Sequence, residues 1–350
     1  MAKPTIANVA ELAGVSQATV SRALRGATNV TEETRIKVQR AADQLNFTLS
    51  KSASALASGK TMRVILLVSG KLNEWFNSGV LQGVYEELAP AGYDVTPAFI
   101  TDRSELDRFF SQLPKSRNAD AIIISSFQLM PAMRDQLQAI DLPTVGVNVP
   151  AESGYFDASI SIDNSSAMTM AVRLLRSLGH TNIAFCSDYI PADMVYNTSQ
   201  RTQAFADAAQ ANATDGITFS LLTADAHDAP LSKSDLASQL TAKLLSLPER
   251  PAVCVETDQV AIALVKELRK QQLNVPEDIS VLGFDDAEIA QAADLSTIRQ
   301  EPIELGRIAG RKVLQLLRNE PLEHPHELQD PLLVLRNTTS RIDSGAATAE

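Results

Sequence analysis

Three residues near the amino terminus, Gln17, Ala18 and Arg22, have types and spacing suited to reading base edges. A guanidinium donates two parallel hydrogen bonds to guanine O6 and N7. A carboxamide pairs with adenine N6 and N7, and an alanine methyl suits the thymine methyl. Around them stand Thr5, Ser16, Thr19, Ser21, Arg25, Asn29 and Thr31, whose hydroxyl, amide and cationic groups suit phosphate oxygens. Contacts of that second kind fix position on a duplex without carrying sequence information.

Such residues need a rigid element that fits the major groove. Thr5 stands as an N-cap before the apolar stripe Ile6, Val9, Ala10 and Ala13, and Gly14 can close that helix in the left-handed conformation. Ser16 caps a second helix running to about Leu24, with Val20, Ala23 and Leu24 inward and Gln17, Ala18, Ser21 and Arg22 outward. Thr31 opens a third, with Glu32 and Glu33 in the first turn, where the helix dipole favours them. Its buried stripe is Val38, Ala41, Ala42 and Leu45. Helix, glycine turn and capped helix make a helix-turn-helix, whose second helix enters the major groove amino end first.

Charge supports this reading. Residues 1–60 hold eight basic and four acidic groups, a net +4, whereas the whole chain carries −11, leaving −15 for the rest. A small basic head on a large acidic body points to a polyanion-binding module joined to something else. With 350 residues, 45% hydrophobic and 21% charged, the chain is long enough for two or three globular domains. No apolar run approaches the roughly 18 residues of a membrane span, and the first residues do not form an export leader. A cytoplasmic protein with no membrane partner is therefore expected. Cys186 and Cys254 lie in apolar strand-like runs without metal-ligand spacing, as buried free thiols do. No metal site and no cofactor are expected.

Residues 50–61 are small, polar and rich in Ala and Ser, too few to hold a helix alone in water. Ser58-Gly-Lys-Thr61 is not a phosphate-binding loop, because Ser54 stands where the first glycine is needed and a strand follows. From residue 63 short apolar runs at 64–69, 93–100, 119–125, 143–148, 158–162, 182–186, 218–222, 253–256 and 279–283 alternate with amphipathic stretches such as 167–178 and 259–272. That alternation predicts parallel sheets covered by helices on both faces, in two lobes, with ligands at the carboxyl ends of the strands. No nucleophile motif, dinucleotide glycine pattern or histidine cluster marks a catalytic site, so no enzyme is expected.

The run Thr5-Ile-Ala-Asn-Val-Ala-Glu-Leu-Ala-Gly-Val-Ser-Gln-Ala-Thr-Val-Ser-Arg-Ala-Leu24 resembles the head of the lactose-repressor (LacI/GalR) family. Val30-Thr-Glu-Glu-Thr-Arg35, Asp163-Asn164 and Leu178-Gly-His-Thr-Asn-Ile-Ala184 continue the likeness. So do Val275-Pro-Glu-Asp-Ile-Ser-Val-Leu-Gly-Phe-Asp-Asp286 and Leu295-Ser-Thr-Ile-Arg-Gln300. The resemblance implies a repressor that binds palindromic double-stranded operator DNA as a homodimer under control of a small-molecule effector. It divides the chain into a helix-turn-helix domain (1–49), a hinge (50–61), a two-lobed periplasmic-binding-protein-like domain (62–340) and a tail (341–350). The amino lobe would comprise 62–163 and 295–324, the carboxyl lobe 164–294 and 325–340, with crossings near 163, 294 and 325. In the family the hinge becomes helical on operator, and leucines wedge into the minor groove. Leu56 occupies that place, beside Ala53. Here Phe47-Thr-Leu-Ser50 replaces the family's Tyr-x-Pro-Asn at the hinge start.

For the effector, the resemblance implies Arg201, whose guanidinium donors suit vicinal hydroxyls. Asp285 follows an apolar strand, where a carboxylate can accept from two sugar hydroxyls, whereas Asp286 beside it reads as structural. Trp75 and Phe76 offer apolar faces to the C–H side of a pyranose, or serve as core or subunit contacts. Asn148, Asn197 and Gln300 are further candidates, as is Asp258, where Thr257-Asp258 replaces the family's Asn-Asp. A sugar acting as inducer is the expected effector. A nucleoside or purine, or a corepressor, is the alternative, and a sugar-binding protein without a regulatory role is a more distant one. The tail has no heptad pattern, so no tetramerising coiled coil is expected.

Overall fold

The computed structural model describes residues 4–24, 29–47, 60–116, 118–149, 154–189, 196–213, 216–226 and 231–342. It comprises two compact units, Met1–Met62 with Asn118–Asp120, and Arg63–Arg117 with Ala121–Glu350.

In the first unit, α1 (Ile6–Ala13), α2 (Gln17–Leu24) and α3 (Glu32–Gln44) share one small core. Thr5 caps α1 reciprocally with Asn8, and Gly14 ends it at φ 65°. The amide of Thr19 donates to Ser16 Oγ at 3.1 Å, and the amide of Thr34 to Thr31 Oγ1 at 3.4 Å, so each later helix also starts at a hydroxyl cap. Val9, Val20 and Val38, one from each helix, are fully buried with Ala10, Ala23, Ala41 and Ala42 around them. The small alanines let the three short helices approach closely enough to bury that triad.

The second unit holds two six-stranded sheets. The first contains β1 (Arg63–Ser69), β2 (Asp94–Ile100), β3 (Ala121–Ser125), β4 (Thr144–Val147), β5 (Ala158–Ile162) and β11 (His326–Gln329), in the order β11-β5-β4-β3-β1-β2. Every pair in it is parallel. The second contains β6 (Asn182–Ser187), β7 (Thr218–Thr223), β8 (Ala252–Val255), β9 (Val281–Asp285), β10 (Thr297–Arg299) and β12 (Leu332–Val334), in the order β12-β10-β9-β8-β6-β7. Only its β10–β12 pair is antiparallel among those described.

Strands β3, β4, β5, β8 and β9 are buried along their whole length, the continuous apolar signature of a sheet covered on both faces. Side chains alternate between two cores in the second lobe. Ala184, Cys186, Val253 and Val255 face α9 (Lys233–Leu245) and α10 (Asp258–Lys270). Phe185, Cys254, Leu282 and Phe284 face α7 (Asn164–Ser177) and α8 (Asn197–Ala211). The two cysteines thus occupy opposite faces as free, buried thiols. In the first lobe α4 (Trp75–Leu88) packs on α12 (Pro302–Leu317). The other described helices are α5 (Arg103–Ser116), α6 (Pro131–Ala139) and α11 (Glu288–Ala292).

Two of the three expected crossings move. β10 belongs to the second sheet, so the chain returns to the first lobe after Arg299, at about 300, rather than near 294. β11 pairs with β5, so the last crossing falls at about 330, between β11 and β12, rather than near 325. Strands β10, β11 and β12 are only three or four residues long, too short for a period-2 pattern to show, and β11 reads HELQ. Beyond the expected boundary at 340, the amide of Ile342 still donates to the Leu178 carbonyl at 3.0 Å.

Candidate functional site

Gln17, Ala18, Ser21 and Arg22 fall on one face of α2, opposite the buried Val20 and Ala23. Gln17, Ala18 and Arg22 are exposed, and Ser21 is half-buried. Thr5, Ser16 and Thr31 use their hydroxyls as helix caps, and Ser16 Oγ also lies 2.9 Å from Thr19 Oγ1. These three residues and Asn29 are exposed, and Thr19 is half-buried. Each cap takes one first-turn amide and leaves the others of that turn outside the helix's own hydrogen bonds, where phosphate oxygens can accept from them. Arg25, Ala53 and Leu56 lie outside the described residues.

The larger unit has a cleft between its two lobes, at the carboxyl ends of the strands. Two adjoining cavities of ≈ 310 Å³ and ≈ 210 Å³ share Glu74, Phe76, Tyr196, Thr198, Thr257 and Asp285 as walls. Trp75 lines the first cavity, and Asn148, Asn197, Arg201 and Gln300 line the second. Seven of the eight expected effector residues therefore meet in one place.

The floor is a hydrogen-bonded chain. Asn148, at φ 47°, donates through Nδ2 to Gln300 Oε1 at 2.9 Å, while its Oδ1 accepts from the Ile162 amide at 2.9 Å. Gln300 Nε2 then donates to Asp285 Oδ1 at 2.6 Å. Arg201 Nη1 stands 3.7 Å from that carboxylate oxygen and donates to the Glu256 carbonyl. Its guanidinium carbon lies 3.7 Å from the centre of the Phe284 ring, a cation–π contact in a desolvated site. Only 3% of Arg201 is exposed, and its Nε has no hydrogen-bond partner.

Burial dominates the electrostatics. It lowers the Arg201 pKa, against the carboxylates of Asp285, Glu256 and Asp258, which favour the cation. It raises Asp285, which Arg201 and Gln300 pull back. Glu256 is pushed up to about 7, first by burial. Asp285 has φ 128°, a strained backbone for a non-glycine residue that aims its carboxylate across the end of β9.

Asp258 is a correction. It is the first residue of α10 and fully buried, but it lines neither cavity. Its Oδ1 accepts from Thr297 Oγ1 at 2.6 Å and its Oδ2 from the Ala287 amide at 3.0 Å. The side chain turns beneath the sheet because Gly283 leaves room: a Cβ there would stand 2.3 Å from Asp258 Oδ1. Asp286 is bound on both sides, by Arg299 Nε at 2.6 Å and Arg336 Nη2 at 2.6 Å. Residues passed over in the sequence include Glu74, Asp188, Tyr196, Lys233 and Glu256. For Asp188 and Glu256 the signal was their place just beyond the ends of β6 and β8. Tyr196 and Lys233 had none.

Residues 5–50 match the family described as bacterial regulatory proteins, lacI family, and residues 172–339 match a periplasmic binding protein-like domain. The chain is 30% identical over 345 residues to the HTH-type transcriptional repressor PurR of Vibrio campbellii (strain ATCC BAA-1116), covering 97% of this chain and 99% of that protein. The chain belongs to the lacI family of bacterial regulatory proteins. Among solved structures, the lac repressor dimer bound to operator and the anti-inducer ONPF has the same fold, with a TM-score of 0.81. At 24% identity it covers 97% of this chain, and this chain covers 100% of it. A complex of the transcriptional regulator CelR with cellobiose superposes with a TM-score of 0.67 at 26% identity, covering 96% and 99% of the two chains. This lacI-family member is thus a transcriptional regulator with a helix-turn-helix head and a two-lobed α/β body. Among its described residues, no helix is long and apolar enough to cross a membrane.

Proposed function

We propose that the chain represses transcription by binding a palindromic operator as a homodimer, and that a sugar in the interlobe cleft acts as inducer. Gln17, Ala18 and Arg22 read bases from α2, while Thr5, Ser16, Thr19, Ser21, Asn29 and Thr31 hold phosphates. The observation that carries the effector reading is the Arg201–Asp285–Gln300–Asn148 chain in the cleft: fixed donors and acceptors beside Trp75 and Phe76. A guanidinium and a carboxylate side by side suit vicinal hydroxyls, and aromatic faces suit the C–H side of a pyranose. The CelR–cellobiose complex agrees with that choice.

Dimer formation is supported by exposed apolar side chains along the edge strands β2 and β7 and beside them. Tyr85 is 60% and Phe99 43% exposed, as are Leu221 at 48% and Leu245 at 43%. The division into 1–49, 50–61 and 62–340 is part of this proposal, with the lobes divided at about 163, 300 and 330. A purine is the second reading, favoured by the four aromatic walls Trp75, Phe76, Tyr189 and Tyr196.

Ligand closure would alter the relation of the two lobes, and operator affinity would follow the ligand's differential affinity for the two arrangements. Replacing Arg201 by Ala tests this. Operator binding should persist while release by an inducing sugar is lost, and a normal release curve would refute the assignment.

A further inference from the structure

Charge in the cleft is lopsided. Among the described residues, Glu74, Asp188, Glu256 and Asp285 line it against two cations, Lys233 and Arg201. Neither cation is spare. Arg201 faces Asp285 and binds the Glu256 carbonyl, and the charge of Lys233 acts on both Glu256 and Asp285. Even with those two cations near it, the carboxyl of Glu256, only 4% exposed, is pushed up to about 7.

Helix amino termini ordinarily hold anions, and three helices begin at this cleft. Two of those beginnings are engaged by groups of the chain itself, and the third carries a carboxylate. Glu74 is the residue before α4; its carboxylate makes no capping bond, and the residue stands in the cleft wall. The first amide of α10, that of Asp258, donates to the carboxylate of Asp285. At the start of α8 the Asn197 amide donates to the Ser126 carbonyl at 3.0 Å and the Ser199 amide to the Tyr196 carbonyl at 3.1 Å. A phosphate brings close to two negative charges. At an effective dielectric near 20, one like charge about 6 Å away weakens binding of an anion by about a hundredfold.

We propose that the cleft selects its effector by charge: it takes polyhydroxyl ligands that are neutral or carry a protonated amine, and Glu256 and Glu74 exclude phosphorylated and carboxylated ones. This rests on the reading of the cleft as the effector site. Arg201 then serves as a hydroxyl donor and not as an anion anchor, because its charge is already matched. Glu256 supplies a buried acceptor that can take a hydroxyl or ammonium beside its bond from the Asp188 backbone, and Glu74 screens the opening.

The test is a thermal-shift titration of the full-length protein with matched triplets: glucose, glucosamine and glucose 6-phosphate; galactose, galactosamine and galactose 1-phosphate. In at least one triplet the neutral or amino member should raise the unfolding temperature, and its phosphate should not at equal concentration. Glu256→Gln should narrow the neutral-to-phosphate affinity ratio about tenfold. Glu74→Gln, at an exposed position that does not burden the fold, should narrow it in the same direction. A phosphate that binds more tightly than its neutral counterpart overturns the charge selection while leaving the effector site in place. An unchanged ratio in both variants overturns the role of the two glutamates. Silence from every member overturns the sugar reading itself and the selection with it.

Discussion

Asn148 and Gln300 stand 152 residues apart in the chain and share a buried hydrogen bond of 2.9 Å, one from the first lobe and one from the second crossing. Gln300 passes that link to Asp285 in the second lobe. Its single carboxamide therefore joins the Asp285 carboxylate to the strand ends of the opposite lobe. Replacing Gln300 by Ala would leave a buried donor on Asn148 and a buried acceptor on Asp285, a loss of about 1–3 kcal/mol. Because the residues act as a unit, Asn148→Ala combined with Gln300→Ala should cost less than the sum of the two. A double-mutant cycle by denaturant unfolding measures this, and additive costs would show that the chain is not coupled.

Four glycines set the contact between α4 and α12. A Cβ on Gly83 would lie 1.9 Å from the Ile303 carbonyl oxygen, and one on Gly306 would lie 2.4 Å from the Val80 carbonyl oxygen. A Cβ on Gly79 or on Gly310 would lie 2.8 Å from a side chain of the opposite helix. Backbone cannot retreat as a side-chain tip can, so Gly83→Ala should destabilise the body by about 3 kcal/mol or more. Gly154→Ala, with nothing within 4 Å, serves as the control and should be nearly neutral. Thermal unfolding of the two variants decides it; equal melting temperatures would mean that the helices separate freely.

Arg22→Ala should weaken operator binding by about 1–3 kcal/mol and relax discrimination at the base pair it reads. The Ser16 cap and the Val20 contact are untouched, so the fold of the head should persist. Binding to an operator series substituted at single positions reads this directly. Uniform weakening at every sequence would reassign Arg22 to phosphate.

Glu256 should make the body less stable as pH rises. Its pKa is raised from 4.5 in the unfolded chain to about 7 in the native state, so between those values the native state keeps a proton that the unfolded chain has lost. Stability contributed by the protonated form is full below about 4.5 and is lost as pH climbs through about 7. The difference amounts to at most about 3 kcal/mol. Asp258 and Asp285, raised by burial as well, act with the same sign. Paired melts of the wild type and Glu256→Gln across this range should converge at low pH and diverge at high pH; parallel curves would contradict the shift.

The head was legible because its determinants are local. Thr5, Gly14, Ser16 and Thr31 act on backbone groups within a few residues of themselves, and the stripe through Val9, Val20 and Val38 follows helical periodicity. The buried strands were legible for a similar reason, as unbroken apolar runs. Strands β10 to β12 were not, since pairing of β10 with β9, β11 with β5 and β12 with β10 makes strands of segments too short to carry a pattern of their own.

By itself the sequence determined the kind of protein: three capped helices with a base-reading face, and an alternation of strands and helices that requires covered parallel sheets. It also placed Arg201, Asp285, Asn148 and Gln300 in one cleft through family position and strand ends. Only the tertiary structure decided which carboxylates face that cleft. Asp258 turns away to Thr297 and Ala287 because Gly283 opens a space beneath it, while Glu256 and Glu74 turn toward it. Capping and periodicity are energies between neighbours in the chain. The orientation and charge state of a buried carboxylate depend on donors, cations and dielectric supplied from distant segments, and those are assembled only when the sheets form.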